Sequence, residues 1–264
     1  MKNQKILALG IFIAIIAIFI CCYVFFNKAA DDEVPDAQNY QRFFTLMGTQ
    51  EHNEENYTEG LFVYRGDLFE STGIIGSSKI VKYEGVSPKS VMEVKLPDDV
   101  FGEGSAVFED TLYVLTWKDK KAFLLDCETL QIKNTVDYPR EGWGLTTDGR
   151  YLIASDGTDK IYFMDANLNT VKSVNVKYHG HSIKNINELE FDGEYIWANI
   201  WLENICIAIV PESGEVRYAV DFSGICPELP SEESVMNGIA FDGTYYYFTG
   251  KNWPFIYKMK KENI

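Results

Sequence analysis

The chain has 264 residues, 46% hydrophobic and 14% aromatic, enough for one sizeable domain with its own core. A formal net charge of −15 excludes the basic surface that a nucleic-acid partner would select, so no nucleic acid is expected to bind. Its 16 tyrosines and 17 phenylalanines favour strands, and past the N-terminus no stretch keeps a helical apolar period.

The first element is Ile6 to Phe26, 21 residues without a charge and long enough to cross a bilayer. Lys2 and Lys5 precede it; Lys28 and then Asp31, Asp32 and Glu33 follow. The more positive flank stays in the cytoplasm. Residues 1–26 therefore read as a signal-anchor, a transmembrane helix that contacts the membrane through residues 6–26. The rest of the chain is expected to be extracytoplasmic, at a cell surface or in a periplasm. Lipidation at Cys21-Cys22 is the weaker alternative, because Ile20 stands where a lipoprotein cleavage site wants a small residue. Residues 27–40 are polar and acidic and read as a tether. Residues 41–264 form the domain, and since nothing in them asks for a dimer, a monomer is expected.

Arg42 to Met47 is a short strand candidate that stands before a repeating pattern. The pattern restarts at Thr58-Glu59-Gly60-Leu61, Gly102-Glu103-Gly104-Ser105, Gly142-Trp143-Gly144-Leu145, Ile186-Asn187-Glu188-Leu189 and Met236-Asn237-Gly238-Ile239. Gaps between the second residues are 44, 40, 44 and 50 positions. A period near 40 with strand-like content is a propeller signature, one blade per repeat. Within each repeat a short apolar strand meets a turn and then a strand rich in aromatics: Leu68–Glu70, Leu112–Leu115, Tyr151–Ala154, Tyr195–Ala198 and Tyr245–Phe248. Asp148-Gly149, Asp192-Gly193 and Asp242-Gly243 have the composition of tight hairpin turns. The expected architecture is all-β: a five-bladed β-propeller of four-stranded antiparallel blades, preceded by the N-terminal transmembrane helix. The fifth repeat offers only three clear strands, so residues 42–47 are expected to supply its fourth and close the ring.

In a closed ring, equivalent positions converge on one axis. Glu59, Glu103, Trp143, Asn187 and Asn237 should meet at the channel mouth. The second strand of each blade returns to the same face and brings Trp117, Trp201 and Lys251 beside them. Each has a plainer reading: packing for a tryptophan, a solvated charge for the lysine, backbone-bonding turns for the asparagines. Their coincidence in register is what singles them out. Glu59, Asn187 and Asn237 could also offer oxygens to a structural channel ion such as calcium. Cys127, Cys206 and Cys226 cannot all pair within the chain; a Cys206–Cys226 disulfide and three buried thiols both fit. His179 and His181 read as solvated loop residues, and no metal site is expected.

Several words then resemble the glutaminyl-peptide cyclotransferases of the plant and bacterial type, which are five-bladed propellers. They include Tyr57-Thr58-Glu59-Gly60-Leu61, Phe101-Gly102-Glu103-Gly104, Gly142-Trp143-Gly144-Leu145-Thr146-Thr147-Asp148-Gly149, Asn187-Glu188-Leu189-Glu190, Trp197-Ala198-Asn199-Ile200-Trp201 and Thr249-Gly250-Lys251-Asn252-Trp253-Pro254. They occur in order and span residues 57–258. The resemblance implies that Glu103 is the catalytic acid/base and that Asn187 and Lys251 are polar groups near the reacting amide. It also implies an aromatic substrate pocket of Phe101, Trp117, Trp143 and Trp201, with Tyr57 and Glu59 at its wall. Two departures stand out. Glu59 replaces the family's glutamine, so it could repel Glu103 or bind the substrate ammonium. Residues 50–56 keep only His52 of a Pro-His-Asp word.

The implied reaction turns an N-terminal glutamine of a peptide or protein into pyroglutamate and releases ammonia, with no cofactor required. The rival reading is a non-catalytic extracytoplasmic propeller that binds peptides or glycans at the channel mouth.

Overall fold

A computed structural model describes residues 35–229 and 231–263. The expected transmembrane helix lies outside the described residues; among them no helix is long and apolar enough to cross a membrane. In chain order, β1 (Gln38–Asn39) and β2 (Phe44–Glu51) precede the repeats. Blade 1 is β3 (Thr58–Tyr64), β4 (Asp67–Thr72), β5 (Lys79–Tyr83) and β6 (Ser90–Lys95). Blade 2 is β7 (Gly102–Phe108), β8 (Thr111–Thr116), β9 (Lys121–Asp126) and β10 (Ile132–Asp137). Blade 3 is β11 (Leu145–Thr147), β12 (Leu152–Ala154), β13 (Lys160–Met164) and β14 (Thr170–Asn175). A small hairpin, β15 (Lys177–Tyr178) and β16 (His181–Ser182), leads into blade 4 and carries His179 and His181, both exposed. Blade 4 is β17 (Ile186–Phe191), β18 (Ile196–Ile200), β19 (Ile205–Ile209) and β20 (Val216–Asp221). Blade 5 is β21 (Met236–Phe241), β22 (Tyr246–Gly250) and β23 (Phe255–Lys261), completed on its outer edge by β2.

The fold is thus an all-β, five-bladed propeller of four-stranded antiparallel blades. Innermost strands are largely buried, β7 along its whole length, although they carry acids such as Glu103 and Glu188 among their apolar residues. Outermost strands such as β10 and β14 are polar and largely exposed. Between them, five apolar clusters fill the five blade-to-blade interfaces, from Phe62, Ile80 and Val114 between blades 1 and 2 round to Leu61, Ala240 and Ile256 between blades 5 and 1. A blade therefore buries both faces only when it has two neighbours, which favours a closed ring over an open stack.

Closure runs through β2, which pairs antiparallel with β23 from Phe44↔Lys261 to Glu51↔Phe255. The expected strand at 42–47 ends too early, because the ladder crosses Gly48 with a register shift and continues to Glu51. Part of the expected tether at 27–40 lies outside the described residues, and its last residues are structured. Gln38 and Asn39 pair in parallel with Val220 and Asp221 on blade 4, and Tyr40 is buried against Phe222. Asp148, Asp192 and Asp242 form the expected hairpin turns, each accepting two backbone N–H bonds, and Gly149, Gly193 and Gly243 adopt φ of 80°, 94° and 91°. Cys127, Cys206 and Cys226 are free thiols, so the disulfide alternative falls.

Candidate active site

The repeat residues reach the mouth through a shared backbone irregularity. In blade 1 the β3–β4 pairing shifts between Thr58 and Gly60, leaving Glu59 out of the ladder. The β7–β8 shift falls between Gly102 and Ser105, the β17–β18 shift between Ile186 and Leu189, and the β21–β22 shift between Met236 and Ile239. Glu103, Asn187 and Asn237 sit in those gaps, and Trp143 lies just before β11. A bulge releases a residue from pairing and re-aims its side chain; here it does so in blades 1, 2, 4 and 5, while blade 3 pairs without a shift and presents Trp143 from the segment before β11. Close approach of the blades there leaves no room for a Cβ at Gly144, where one would lie 2.2 Å from the Asn187 carbonyl oxygen. Gly157 (φ 75°) is similarly fixed, since a Cβ would meet the Trp143 indole at 2.7 Å.

The resulting cavity has a volume of about 300 Å³ and is lined by Tyr57, Glu59, Phe101, Glu103, Trp117, Trp143, Asn187, Trp201 and Lys251. Nine of the ten residues singled out from the sequence therefore share one pocket. Asn237 lies beneath it. Its Nδ2 donates to Glu59 Oε2 at 3.0 Å and to the Thr58 carbonyl at 2.8 Å. Ile74 and Glu233 also line the cavity and escaped the sequence reading. Both stand on loops outside the five restarts; the only hint was that Ile74 follows Ser71-Thr72-Gly73, a loop in register with the one carrying Lys251.

Lys251 Nζ donates to Glu59 Oε1 at 2.7 Å, both side chains being almost wholly buried, and it lies 4.5 Å from the centre of the Tyr57 ring. Glu59 is thus engaged by the lysine rather than left free for a substrate ammonium. Burial pushes its carboxyl up to about 7 against the pull of Lys251 and Asn237. Glu103 is buried too, and its carboxyl is driven well above the usual range by burial first and by the charge of Glu59 second, with Lys251 working the other way. Since Glu59 is held by two donors and no hydrogen bond among the described residues engages the Glu103 carboxyl, Glu59 ionises first and Glu103 keeps its proton longer. Burial alone would lower Lys251, but Glu59 and Glu103 hold it above its ordinary value as an ammonium.

Phe101 packs edge-on to Tyr57 and Trp117, with ring centres 6.2 and 5.7 Å apart, and Trp143 meets Trp201 edge-on at 5.7 Å. Trp117 Nε1 donates to Glu141 at 3.0 Å. The Trp143 indole N–H is buried with no partner among the described residues, an open donor in the pocket.

Behind the pocket lies a second buried network. His52 Nε2 donates to Glu70 Oε1 at 3.0 Å and Nδ1 donates to the Trp253 carbonyl at 2.8 Å. Two acceptors require two N–H groups, so the ring is an imidazolium. Glu70 also accepts from Thr58, Asn56 and Tyr83. The network ties β2's end to the segments that carry Glu59 and Lys251. As for metals, no group of three or more His, Cys, Asp or Glu among the described residues is arranged to hold an ion. Of the oxygens suggested for calcium, those of Glu59 are spent on Lys251 and Asn237.

A closed propeller whose axial mouth holds two buried carboxyls and an ammonium behind a wall of indoles defines a propeller enzyme rather than a flat docking platform. Comparison with known proteins agrees. The chain belongs to the glutamine cyclotransferase family, whose model matches residues 17–261. It is 33% identical over 218 residues to an Arabidopsis thaliana glutaminyl-peptide cyclotransferase, covering 79% of this chain and 68% of the relative. It superposes on the crystal structure of Myxococcus xanthus glutaminyl cyclase with a TM-score of 0.77 at 30% identity, covering 84% of this chain and 97% of that one. A β-propeller domain from Myceliophteria thermophila, 10% identical with a TM-score of 0.50 over 82% of this chain and 99% of that one, shares the fold alone.

Proposed function

We propose that this enzyme is a glutaminyl-peptide cyclotransferase: it converts the N-terminal glutamine of a peptide or protein to pyroglutamate and releases ammonia, with Glu103 as the general acid/base. The observation that carries the reading is the buried Glu103 carboxyl, raised well above its ordinary range and free of hydrogen bonds among the described residues. Both reactants belong to one residue, so the ring closure asks mainly for the right rotamer, an uncharged amine and a protonated leaving group. An α-amine has a free pKa of roughly 8 and arrives mostly as ammonium. A carboxylate whose proton affinity is raised can take that proton, which frees the amine to attack the γ-carbonyl carbon. The loaded Glu103 then protonates the departing nitrogen, the C–N bond of the side-chain amide breaks, and the proton lost from the new ring nitrogen returns to the carboxylate.

Charge gathers on the γ-carbonyl oxygen as the amine adds. Lys251 spends one of its three N–H donors on Glu59 and has others for that oxygen, with the Asn187 carboxamide and the open Trp143 N–H in the same cavity. Half-buried Phe101, Trp117, Trp143 and Trp201 hold the aliphatic part of the glutamine and keep water out. The uncharged run Ile6–Phe26 supports a further part of the reading: a membrane anchor with the propeller on the extracytoplasmic side.

The test is incubation with a glutamine-initiated dipeptide and a coupled ammonia assay. Wild type is expected to turn over, and Glu103→Gln to lose on the order of 100-fold or more in kcat with its circular dichroism unchanged. Wild-type rates in that variant would remove the mechanism. Peptide binding without ammonia release by the wild type would favour the non-catalytic binder.

A further inference from the structure

Gly73 and Ile74 form a corner of the pocket wall that the chemistry above does not use. Gly73 N–H donates to the Tyr57 carbonyl at 2.8 Å, and a Cβ at Gly73 would overlap the Phe101 ring at 2.4 Å. The chain therefore turns tightly against two pocket residues before Ile74. Ile74 has φ of 80°, in the left-handed region where a β-branched side chain is a true outlier. In blade 5 the residue after Lys251 occupies the same place in its loop with φ of 61°, and it is Asn252, a residue that tolerates that conformation. Blade 1 keeps an isoleucine where asparagine or glycine would rest without strain.

The turn is built to hold it. The Ile74 carbonyl accepts from Ser77 N–H at 3.0 Å, Ser78 N–H at 2.9 Å and Ser78 Oγ at 2.9 Å. Ser78 Oγ also accepts from Gly102 N–H at 3.0 Å, and Gly102 immediately precedes Glu103. The strained corner is thus bolted to the strand that carries the buried carboxyl. Its side chain nonetheless lines the cavity and stays 43% exposed, and Ile75 beside it is 65% exposed. Strained backbone of this kind clusters at active sites and ligand clamps.

We propose that Ile74, with Ile75, is a specificity shelf that selects an apolar residue immediately after the glutamine. This rests on the cyclotransferase reading and goes beyond it by naming the preferred substrate. Once the glutamine lies with its amine beside Glu103, the next Cα is only about 3.8 Å further along the chain. The second side chain must then lie at the mouth, where Ile74 stands. An apolar side chain there buries surface that glycine cannot, and the desolvation gain is shared by ground and transition states.

The experiment has two readouts on wild type, Ile74→Gly and Ile74→Asn. The first is the kcat/KM ratio for Gln-Leu amide over Gln-Gly amide, followed by ammonia release. The second needs no chemistry: the affinity ratio for pyroglutamyl-Leu over pyroglutamyl-Gly amide, followed by quenching of indole fluorescence. Wild type should favour leucine roughly five-fold in both, the gain from half-burying one such side chain. Both variants should bring the ratios close to one while their thermal midpoints stay level or rise, since each relieves the left-handed isoleucine. Equal handling of leucine and glycine by wild type, or ratios unmoved by either substitution, would overturn the shelf. If no glutamine peptide releases ammonia yet the binding ratio is present and depends on Ile74, the reaction fails and the shelf stands.

Discussion

Glu59 and Glu103 are two buried carboxyls sharing one ammonium, and under the proposed mechanism the proton balance between them would set the working pH. Glu59 presses Glu103 upward by its charge, while Lys251 is drawn to Glu59. Glu59→Gln removes the pressing charge and leaves Lys251 to Glu103, so both effects lower the Glu103 pKa. The expected outcome is a kcat/KM–pH profile whose limb for Glu103 moves down by about one pH unit or more, with activity kept or improved. A dead variant, or a limb that moves up, would show that the pair divides its work differently. The pocket members were legible in the sequence because the restarts put them in register. Their pairing was not: Glu59 and Lys251 are 192 positions apart, and which carboxyl meets the lysine depends on how each bulge aims its side chain. Ile74 was hidden for a related reason, since its importance lies in a backbone angle.

Among the elements, the seam where β2 meets β23 carries more than a ladder. His52 follows β2 directly, and its imidazolium bridges Glu70 on β4 to the loop after β22. Burial works against the His52 charge, but Glu70 and the Trp253 carbonyl outweigh it and raise the ring above its ordinary value. Burial would raise Glu70, yet His52 and three further donors hold it below the usual carboxylate range. The signs follow. His52 contributes stability at low pH that is lost as pH rises through its folded pKa; Glu70 contributes stability at high pH that is lost as pH falls through its own. Both are present in full between the unfolded values of 4.5 and 6.5, and the Glu70 share persists at neutrality. Glu70→Gln should therefore cost about 3 kcal/mol there, on the order of 6–10 °C in a melt, and lower kcat in parallel because Thr58 and Trp253 flank Glu59 and Lys251 in the chain. A variant that melts like wild type at pH 7 would refute this account of the seam. The hairpins at Asp148, Asp192 and Asp242 were readable from two letters each, because the turn chemistry is local. The bulges were not, because they answer to the neighbouring blade.

Across the whole molecule, the axis is braced by a substitution in the repeat itself. Four restarts have glycine after the site residue, and blade 4 has Glu188. Its carboxyl accepts from the Leu61 N–H of blade 1 at 3.2 Å and the Ile239 N–H of blade 5 at 2.8 Å. Glu190, two residues on, accepts from Phe241 N–H at 2.9 Å and Thr146 Oγ1 at 3.1 Å. Burial lifts Glu190 to about 8 and Glu188 well above its usual range, the latter also by the charge of Glu190. A carboxyl raised on folding stabilises while it holds its proton, so stability should fall as pH climbs from the unfolded value of about 4.5 toward 8, by up to about 1.4 kcal/mol per unit for each group. Melting curves from pH 5 to 8 should show that decline, and Glu190→Gln should flatten it; a wild-type midpoint that rises over this range would refute it. The five-bladed plan was visible in the sequence because each repeat restates it. This brace was not, since Glu188 reads as one more acid in a chain that has many.

Closure by β2 also has a consequence for how the protein is made. A ribosome delivers the chain from its beginning, so Phe44–Glu51 emerges long before its partner Phe255–Lys261 has been synthesised. Through that interval the segment is an orphaned edge, and the pocket cannot assemble, because Lys251 belongs to the fifth blade, far behind it in the chain. A nascent chain stalled short of residue 255 would be an open arc, inert toward substrate and prone to pair with its own kind.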